Sequence, residues 1–390
     1  MEIGERIRER RLLRGWSIRH AADRAGISHA SWSRIERGLQ ALDNRFVLAG
    51  IATALECSPA DLSGTPSPAG DRRLAAARAG VPALRRALID AGLPADTPPA
   101  ATPDRLRVAL VRALRHRCDY AGAVAQLPGL IRDLHAATAG PDRRMALRLL
   151  CEVTSGAATV LRSLGYPADA WLGADRCRDA AIATEDPVLL GLAAYARAGA
   201  ALNCGSVARG RTLAADGVRD LQDHLAAPGA AAITGALALT VAYASRCLGH
   251  PDDSAGYADE ARRMARHTGE AIVHGLYFGP ANVNLWLLWI ELNDGAPGRA
   301  LEIASAVDVT ALPHSSRVVY FHTDVARARA ELAGGEPDAV RHLMIAERLA
   351  PQHVHACPVA RETTRILLGR AGRQPASSAL RGLGERMRIA

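Results

Sequence analysis

The sequence predicts an all-α protein in two parts, a small arginine-rich bundle at the N-terminus followed by a long array of helical hairpins. Three observations carry this expectation. Apolar residues recur at helical spacing through most of the chain. Aromatic residues make up only 4% of the 390 positions while alanine abounds. Small side chains let helix axes approach, and alanine has the highest helix propensity. Gly, Pro and Asp clusters punctuate the chain after residue 104 at nearly regular intervals.

The first helix is expected from Ile3 to about Arg14, with Ile7 and Leu12 inward and arginines outward. Ser17 can cap a second helix in which Ala21, Ala22 and Ala25 keep one side small. Gly26 supplies a tight turn, Ile27 plugs the corner, and Ser28 caps a third helix with Trp32, Ile35 and Leu39 on its inward face. The opposite face carries Ala30, Ser33, Arg34 and Arg37, with His29 on its flank. Arginines there can fork onto a guanine edge, and a helix of this kind fits a DNA major groove. After a loop from Leu39 to Asn44, Asp43 or Asn44 can cap a helix over Arg45 to Leu55, whose Phe46, Leu48, Ile51, Ala52 and Leu55 complete the core. Ser58 and Pro59 start a last short helix ending near Leu62.

Through IGERIRERRLLRG, the SIRHAADRAGIS turn, SWSRIERG and FVLAGIATALECSPADL, the stretch Ile3 to Leu62 resembles the lambda-repressor-like, Cro-type (XRE-type) helix-turn-helix domain. That resemblance implies a five-helix DNA-binding domain over residues 1–63. Its DNA contacts would come from Ser17, Arg19, Ser28, His29, Ala30, Ser33, Arg34, Arg37, Gln40 and Arg45. Arg34 would read a base, while Arg37 and Arg45 would hold phosphate, or Arg45 would reach the minor groove. The family pattern also puts Arg11 opposite Glu36, where an ion pair would lock the reading helix to the first. Domains of this kind bind double-stranded DNA as homodimers on palindromic operators. The charge suits that partner: residues 1 to 45 hold ten arginines against six acids, and the whole chain has a net charge of +8 with no lysine. The alternative is a helical bundle used only for protein contacts.

SGTPSPAG at 63–70 has no periodicity and marks a domain boundary. Residues 64–103 are read as a linker with one helical segment, Asp71 to Ala91, interrupted by Pro82; a second break runs from Pro94 to Pro103. From Asp104 a pattern repeats, in which a long apolar helix, a short turn and an alanine-rich helix follow one another. The turns are CDYAGA at Cys118, LGYPADA at Leu164, NCGSVARG at Asn203, LGHPDDSA at Leu248, LNDGAPGRA at Leu292 and AGGEPDAV at Ala333. Gly165, Gly205, Gly249, Gly295 and Gly335 lie 40, 44, 46 and 40 residues apart, so six hairpins are expected to stack. The array resembles a tetratricopeptide-like α-solenoid, with a longer and looser period than that family's norm. It is placed at 104–370, with 371–390 as a C-terminal tail. Together with a Cro-type domain, such an array resembles bacterial regulators whose repeats bind a small-molecule or peptide effector and dimerise.

No catalytic constellation emerges: HExxH, a Gly-rich phosphate loop with Lys, and GxSxG are all missing. No enzyme, metal or cofactor is expected. His353 and His355 flank a valine in an HxH pattern too poor in ligands for zinc, and Asp252 with Asp253 sit where helix caps belong. The seven cysteines form no CxxC pair and read as buried thiols in a reducing compartment. Neither a signal peptide nor an apolar run of membrane-spanning length is read, so a cytoplasmic protein is expected. One stretch stands apart. His274 to Asn293 concentrates Tyr277, Phe278, Trp286 and Trp289 around Asn282 and Asn284. It reads either as a capped helix with core aromatics or as the wall of a pocket. The groove of the array would then be lined by Tyr195, Asn203, Tyr243, Arg246, Asn282, Asn284, Trp286, Tyr320, His322 and Arg327. Alternatively the chain fills its own groove, and the repeats serve as a scaffold or antitoxin-like adaptor.

Overall fold

The computed structural model describes residues 3–40, 42, 45–55, 57, 62, 72–91, 103–312, 315–371 and 378–389. The N-terminal bundle comprises α1 (Ile3–Leu13), α2 (Ile18–Ala25), α3 (His29–Glu36) and α4 (Arg45–Ala54). Ile7, Ala21, Ala22, Trp32, Ile35, Ile51, Leu55 and Leu62 form its core, with Leu48 packed beside them. Two expected core positions face outward instead. Leu12 is 56% exposed because it lies five residues past Ile7, well off the inward stripe that Ile7 shares with buried Arg11. Leu39 is 68% exposed because α3 stops at Glu36 and Gly38 turns the chain with φ 66°. The caps proposed at Asp43 or Asn44, the helix starting at Ser58 and Pro59, the boundary at 63–70 and the side chains of Arg45 and Phe46 lie outside the described residues.

The second part opens with α5 (Arg72–Ile89) and continues as six hairpins: α6 (Arg105–His116) with α7 (Tyr120–Ala137), α8 (Arg143–Leu164) with α9 (Pro167–Ile182), α10 (Pro187–Asn203) with α11 (Val207–Asp220), α12 (Ala230–Cys247) with α13 (Pro251–Thr268), α14 (Pro280–Asn293) with α15 (Pro297–Ser305), and α16 (Ser315–Glu331) with α17 (Glu336–Leu349). All six expected turns fall between paired helices. Within hairpins two to five, a glycine in the left-handed region ends the first helix or its turn: Gly165, Gly205, Gly249 and Gly295. In the sixth it is Gly334, with Gly335 in ordinary right-handed backbone, one residue from the expected place. Proline then opens the second helix at Pro167, Pro251 and Pro297, where no intrahelical N–H is needed. The first helices of successive hairpins pack on one another, α6 on α8, α8 on α10, α10 on α12, α12 on α14 and α14 on α16. They form one layer of the array.

Pro82 does not interrupt α5, which runs through it. Leu74, Ala77, Val81, Leu84 and Leu88 of this helix join the main core, so the segment read as linker is built into the array. The expected tail contains α20 (Ser378–Met387), whose Leu380, Leu383 and Met387 are buried. Between the sixth hairpin and α20 lie α18 (Pro351–Ala356) and α19 (Pro358–Ala371). α18 packs on α5 and α8, so the array returns to its beginning. The Tyr120 hydroxyl and His353 Nδ1 are 2.7 Å apart, Gln352 accepts from the Ala121 amide at 3.0 Å, and its Nε2 donates to Asp119 at 3.0 Å. His355 meets Glu347 at 2.8 Å, and Arg386 of α20 forks onto the same carboxylate at 2.6 Å per bond.

Two departures concern the middle of the array. A β-hairpin, β1 (Ala271–Val273) antiparallel to β2 (Leu276–Phe278), precedes α14 in the otherwise helical fold. Its signal is His274-Gly275 between two apolar triplets, a two-residue turn in which both residues have positive φ. The second departure is α12, an apolar helix of 18 residues and long enough to cross a membrane. All but its last two residues are buried in the array, which accounts for its apolarity by core packing.

Helix α12 tests the packing directly. A Cβ at Gly235 would overlap the buried Phe278 ring, whereas Gly256 of α13 faces open space. Gly235→Ala should therefore destabilise by about 1–3 kcal/mol, and Gly256→Ala should stabilise by about 0.5–1 kcal/mol, each read as a shift in denaturant midpoint. The pair His322 and His342, with Nδ1 atoms 2.8 Å apart, joins α16 to α17. Burial and the facing His342 push His322 down to about 4 from its ordinary 6.5. His342 is also lowered, by burial first and then by Arg341 and Arg329 against Asp338. Because the folded state holds fewer protons in that window, stability is complete above pH 6.5 and should fall as pH drops toward 4. Thermal melts across that range should flatten in His322→Phe.

Candidate nucleic-acid interface

The bihelical unit is set by local capping. The Ser17 hydroxyl accepts from the His20 amide at 3.1 Å, and Ser28 accepts from the Ser31 amide at 3.1 Å while donating to the Ser31 hydroxyl at 2.9 Å. Gly26 closes α2 in the left-handed conformation, φ 68°, and its amide reaches back to the last turn of the helix. Trp16 covers the corner between α1 and α2, with the Arg24 guanidinium 4.8 Å from its ring and His20 edge-on.

Glu36 holds the unit together. Arg11 forks onto its carboxylate, Nε to Oε1 at 2.6 Å and Nη2 to Oε2 at 2.9 Å, and Trp32 Nε1 donates to Oε1 at 2.6 Å. Both charged side chains are buried. The remaining Arg11 nitrogen, Nη1, donates to the Trp16 carbonyl at 2.7 Å, so the same guanidinium fixes α1, the chain before α2 and α3. The bond to Glu36 raises the Arg11 proton affinity above its ordinary value despite the opposing effect of burial. The expected pairing and the buried Trp32 are both present.

Two glycines set the crossings, and sequence reasoning overlooked both. A Cβ at Gly4 would sit 2.5 Å from the Ile35 carbonyl, and one at Gly50 would sit 2.9 Å from the Ala25 carbonyl. They let α1 approach α3 and α4 approach α2. Each stands one turn or less from residues that were read for charge or apolarity alone.

Outward from this frame, Ser17, Arg19, Ser28, His29, Ala30, Arg34 and Arg37 are exposed, and Ser33 and Gln40 are half-buried. Ser33 sits deeper than expected because Arg37 folds back onto its carbonyl, Nε to O at 3.1 Å. Arg34 Nε donates to Gln40 Oε1 at 3.1 Å, placing Gln40 beside the outward face of α3 although it follows the helix end. The Arg45 side chain is outside the described residues.

The ten positions expected to line the array's groove divide. Arg327 is buried and donates to Asn293 Oδ1 at 3.1 Å and to the Leu292 carbonyl at 3.2 Å. Tyr243 is buried and stacks on Trp289, centroids 3.9 Å apart, with Trp286 edge-on at 6.3 Å. Asn203 donates to Gly199 of its own helix, Arg246 pairs with Asp294, and His322 meets His342. The aromatic segment is thus largely core, as the first of its two readings held. Asn282 is only 2% exposed, and its Oδ1 has no hydrogen-bond partner among the described residues. Asn284, Tyr195 and Tyr320 are half-buried. The central arginines of the array went unnoticed, since nothing local distinguishes them in a chain whose 48 basic residues are all arginine.

Residues 2–63 match the family model described as a helix-turn-helix domain. Neither the curated proteins nor the solved structures contain a match to the chain. The N-terminal part is therefore a helix-turn-helix domain, a fold that suggests DNA binding.

The buried pair yields a direct test. Glu36→Ala leaves a buried guanidinium unpaired and should cost about 3–5 kcal/mol, seen as lost hydrogen-exchange protection across α1 and α3. Arg11→Met combined with Glu36→Leu should recover part of the loss; equal loss in the double variant would refute the ascription to an unpaired charge.

Proposed function

We propose that the protein is a cytoplasmic, sequence-specific DNA-binding transcriptional regulator, acting as a homodimer on a palindromic operator and controlled by an effector bound in the helical array. The observation that carries the reading is a domain of helix-turn-helix type whose second helix is locked from behind by Arg11 and Glu36 and leaves Arg34 and Arg37 exposed. A rigid frame with cationic, hydrogen-bonding side chains outward is what groove reading requires. In this reading Arg34 reads a base, Gln40 orients it, and Ser17, Arg19, Ser28, His29, Ala30, Ser33, Arg37 and Arg45 supply backbone and shape contacts. One short recognition helix makes few contacts, so two half-sites about one helical turn apart are needed for specificity. The reading assigns the chain no catalytic step.

Selection from random DNA, followed by affinity measurement across salt concentrations, tests the proposal. Affinity for the selected site should fall steeply with salt yet persist against competitor DNA. Arg34→Ala should cost about 1–3 kcal/mol on that site and relax preference at one position, whereas Arg37→Ala should weaken all sequences alike. Equal losses for Arg34→Ala on selected and random DNA would overturn its assignment. Failure to enrich any sequence would overturn the regulator reading in favour of a protein-binding adaptor.

A further inference from the structure

The interior of the array gathers positive charge that the described acidic residues only partly neutralise. Arg115, near the end of α6, donates through Nη2 to the Gly275 carbonyl at the tip of the β-hairpin, 2.6 Å away, and lies 3.2 Å from His116 Nε2. Among the described residues no carboxylate forms an ion pair with it. Glu152 of α8 is near, but its carboxylate faces Arg112 at 3.4 Å. Arg317 of α16 lies over two aromatic faces, Tyr277 and Tyr320, 5.7 Å from each centroid. No hydrogen bond or ion pair is made by its side chain among the described residues. Arg162 of α8 is close to Tyr320 and likewise lacks a carboxylate partner among those residues. Arg317, Tyr320 and Tyr195 all act electrostatically on Arg115, so α6, α10 and α16 converge there. Burial pushes the Arg115 guanidinium below its ordinary value; Glu152 opposes that shift and Arg317 adds to it.

Unpaired buried charge is costly, and folded chains ordinarily answer it with an acid. Among the described residues, Arg112, Arg115, Arg162 and Arg317 gather here around one glutamate, Glu152. Glu270 is no substitute, since it is bonded to the Tyr277 hydroxyl at 2.5 Å and to the Ala281 amide at 2.8 Å. What Arg115 receives is a neutral carbonyl, presented by a turn that holds a histidine at φ 48° and Gly275 at φ 76°. Non-glycine residues visit that region uncommonly. Arg115, Arg162, Arg317, Tyr195 and Tyr320 are each half-buried, so solvent reaches the cluster.

We propose that this interior binds a small organic anion with a flat unsaturated body, its carboxylate or phosphate held by Arg115 and Arg317 and its ring against Tyr195 and Tyr320. The Gly275 carbonyl occupies the anion's place at Arg115 until the ligand displaces it. Guanidinium forks match carboxylate and phosphate alike, and they stack on aromatic faces. The inference deepens the sensor reading of the array and depends on that reading only for its consequence at DNA.

Titration calorimetry on the full chain tests it with 4-hydroxybenzoate, phenyl phosphate, inorganic phosphate and the neutral 4-hydroxybenzamide. At least one aromatic anion should bind, and 4-hydroxybenzamide should bind about tenfold or more weaker, as loss of a charge-assisted hydrogen bond implies. The carboxylate and phosphate arms tell the two headgroups apart, and inorganic phosphate shows what the ring contributes. Arg115→Ala and Arg317→Ala should each weaken binding about tenfold or more, while Arg219→Ala on the exposed end of α11 leaves it unchanged. Arg317→Lys, which keeps the charge and loses the planar stack, should fall between. Should Arg115→Ala fail to fold, Arg317→Ala and Arg317→Lys decide the matter alone. Absence of binding by both aromatic anions, equal binding of the amide, or full affinity in Arg317→Ala would overturn the proposal. Binding without any change in affinity for the selected DNA would leave the anion site standing and overturn the sensor reading.

Discussion

Close approach of helix axes is the constraint on which both parts of this chain depend. Where α1 crosses α3, Gly4 lies against the Ile35 carbonyl; where α8 meets α9, Gly173 lies against the Ala158 backbone. A methyl group at such points would push two helices apart, and every side chain that bridges them would lose its partner. The Arg11 and Glu36 fork is the plainest case. Its bonds of 2.6 and 2.9 Å require α1 and α3 at one separation. Exposed Arg34 and Arg37 inherit their direction from a helix fixed on its other face by Trp32, Ile35 and Glu36.

The array applies the same rule six times with a different solution for its ends. A left-handed residue, glycine in five hairpins and Cys118 in the first, stops one helix and proline or a polar residue starts the next, so the chain reverses within a few residues and the axes stay near. Stacking of this kind buries a continuous core but leaves the first and last faces open. Here α5 covers the first hairpin, α19 and α20 cover the last, and α18 joins the two through Gln352 and His353. An array that closes on itself acquires an interior, and the side chains of α6, α10 and α16 then share one environment although about 200 residues of chain separate the extremes. The charge gathered there is a consequence of closure.

Functionally the two parts ask different things of their arginines. On the N-terminal domain Arg11 is buried against Glu36, while Arg19, Arg34 and Arg37 stand at the surface, where salt and water moderate their charge. Inside the array water is scarcer, and the same guanidinium is held beside a carbonyl or a tyrosine ring. The β-hairpin makes the difference concrete: it holds the one pair of strands among the described residues, and its tip meets Arg115.

Much of this was legible in the residues themselves. Caps at Ser17 and Ser28, the turn at Gly26, the burial of Trp32 and the six hairpin turns follow from local rules, because capping, left-handed glycine and helical period act over four residues or fewer. Local rules also misplaced Leu12 and Leu39, where a helical stripe was continued past its phase or past the helix end. Pro82 read as a break because the energetic cost of proline in a helix is local, while the core contacts of Leu74, Val81 and Leu88 that outweigh it are not. Sequence alone therefore determined the helical class, the order of the first four helices and of the six hairpins, and the exposure of His29, Ala30, Arg34 and Arg37 on α3. Tertiary structure alone decided that α5 and α20 belong to the array, that α18 closes it, and that Arg115, Arg317, Tyr195 and Tyr320 stand together. These residues come from distant helices, and no periodicity records contacts that exist only once the array has curled upon itself.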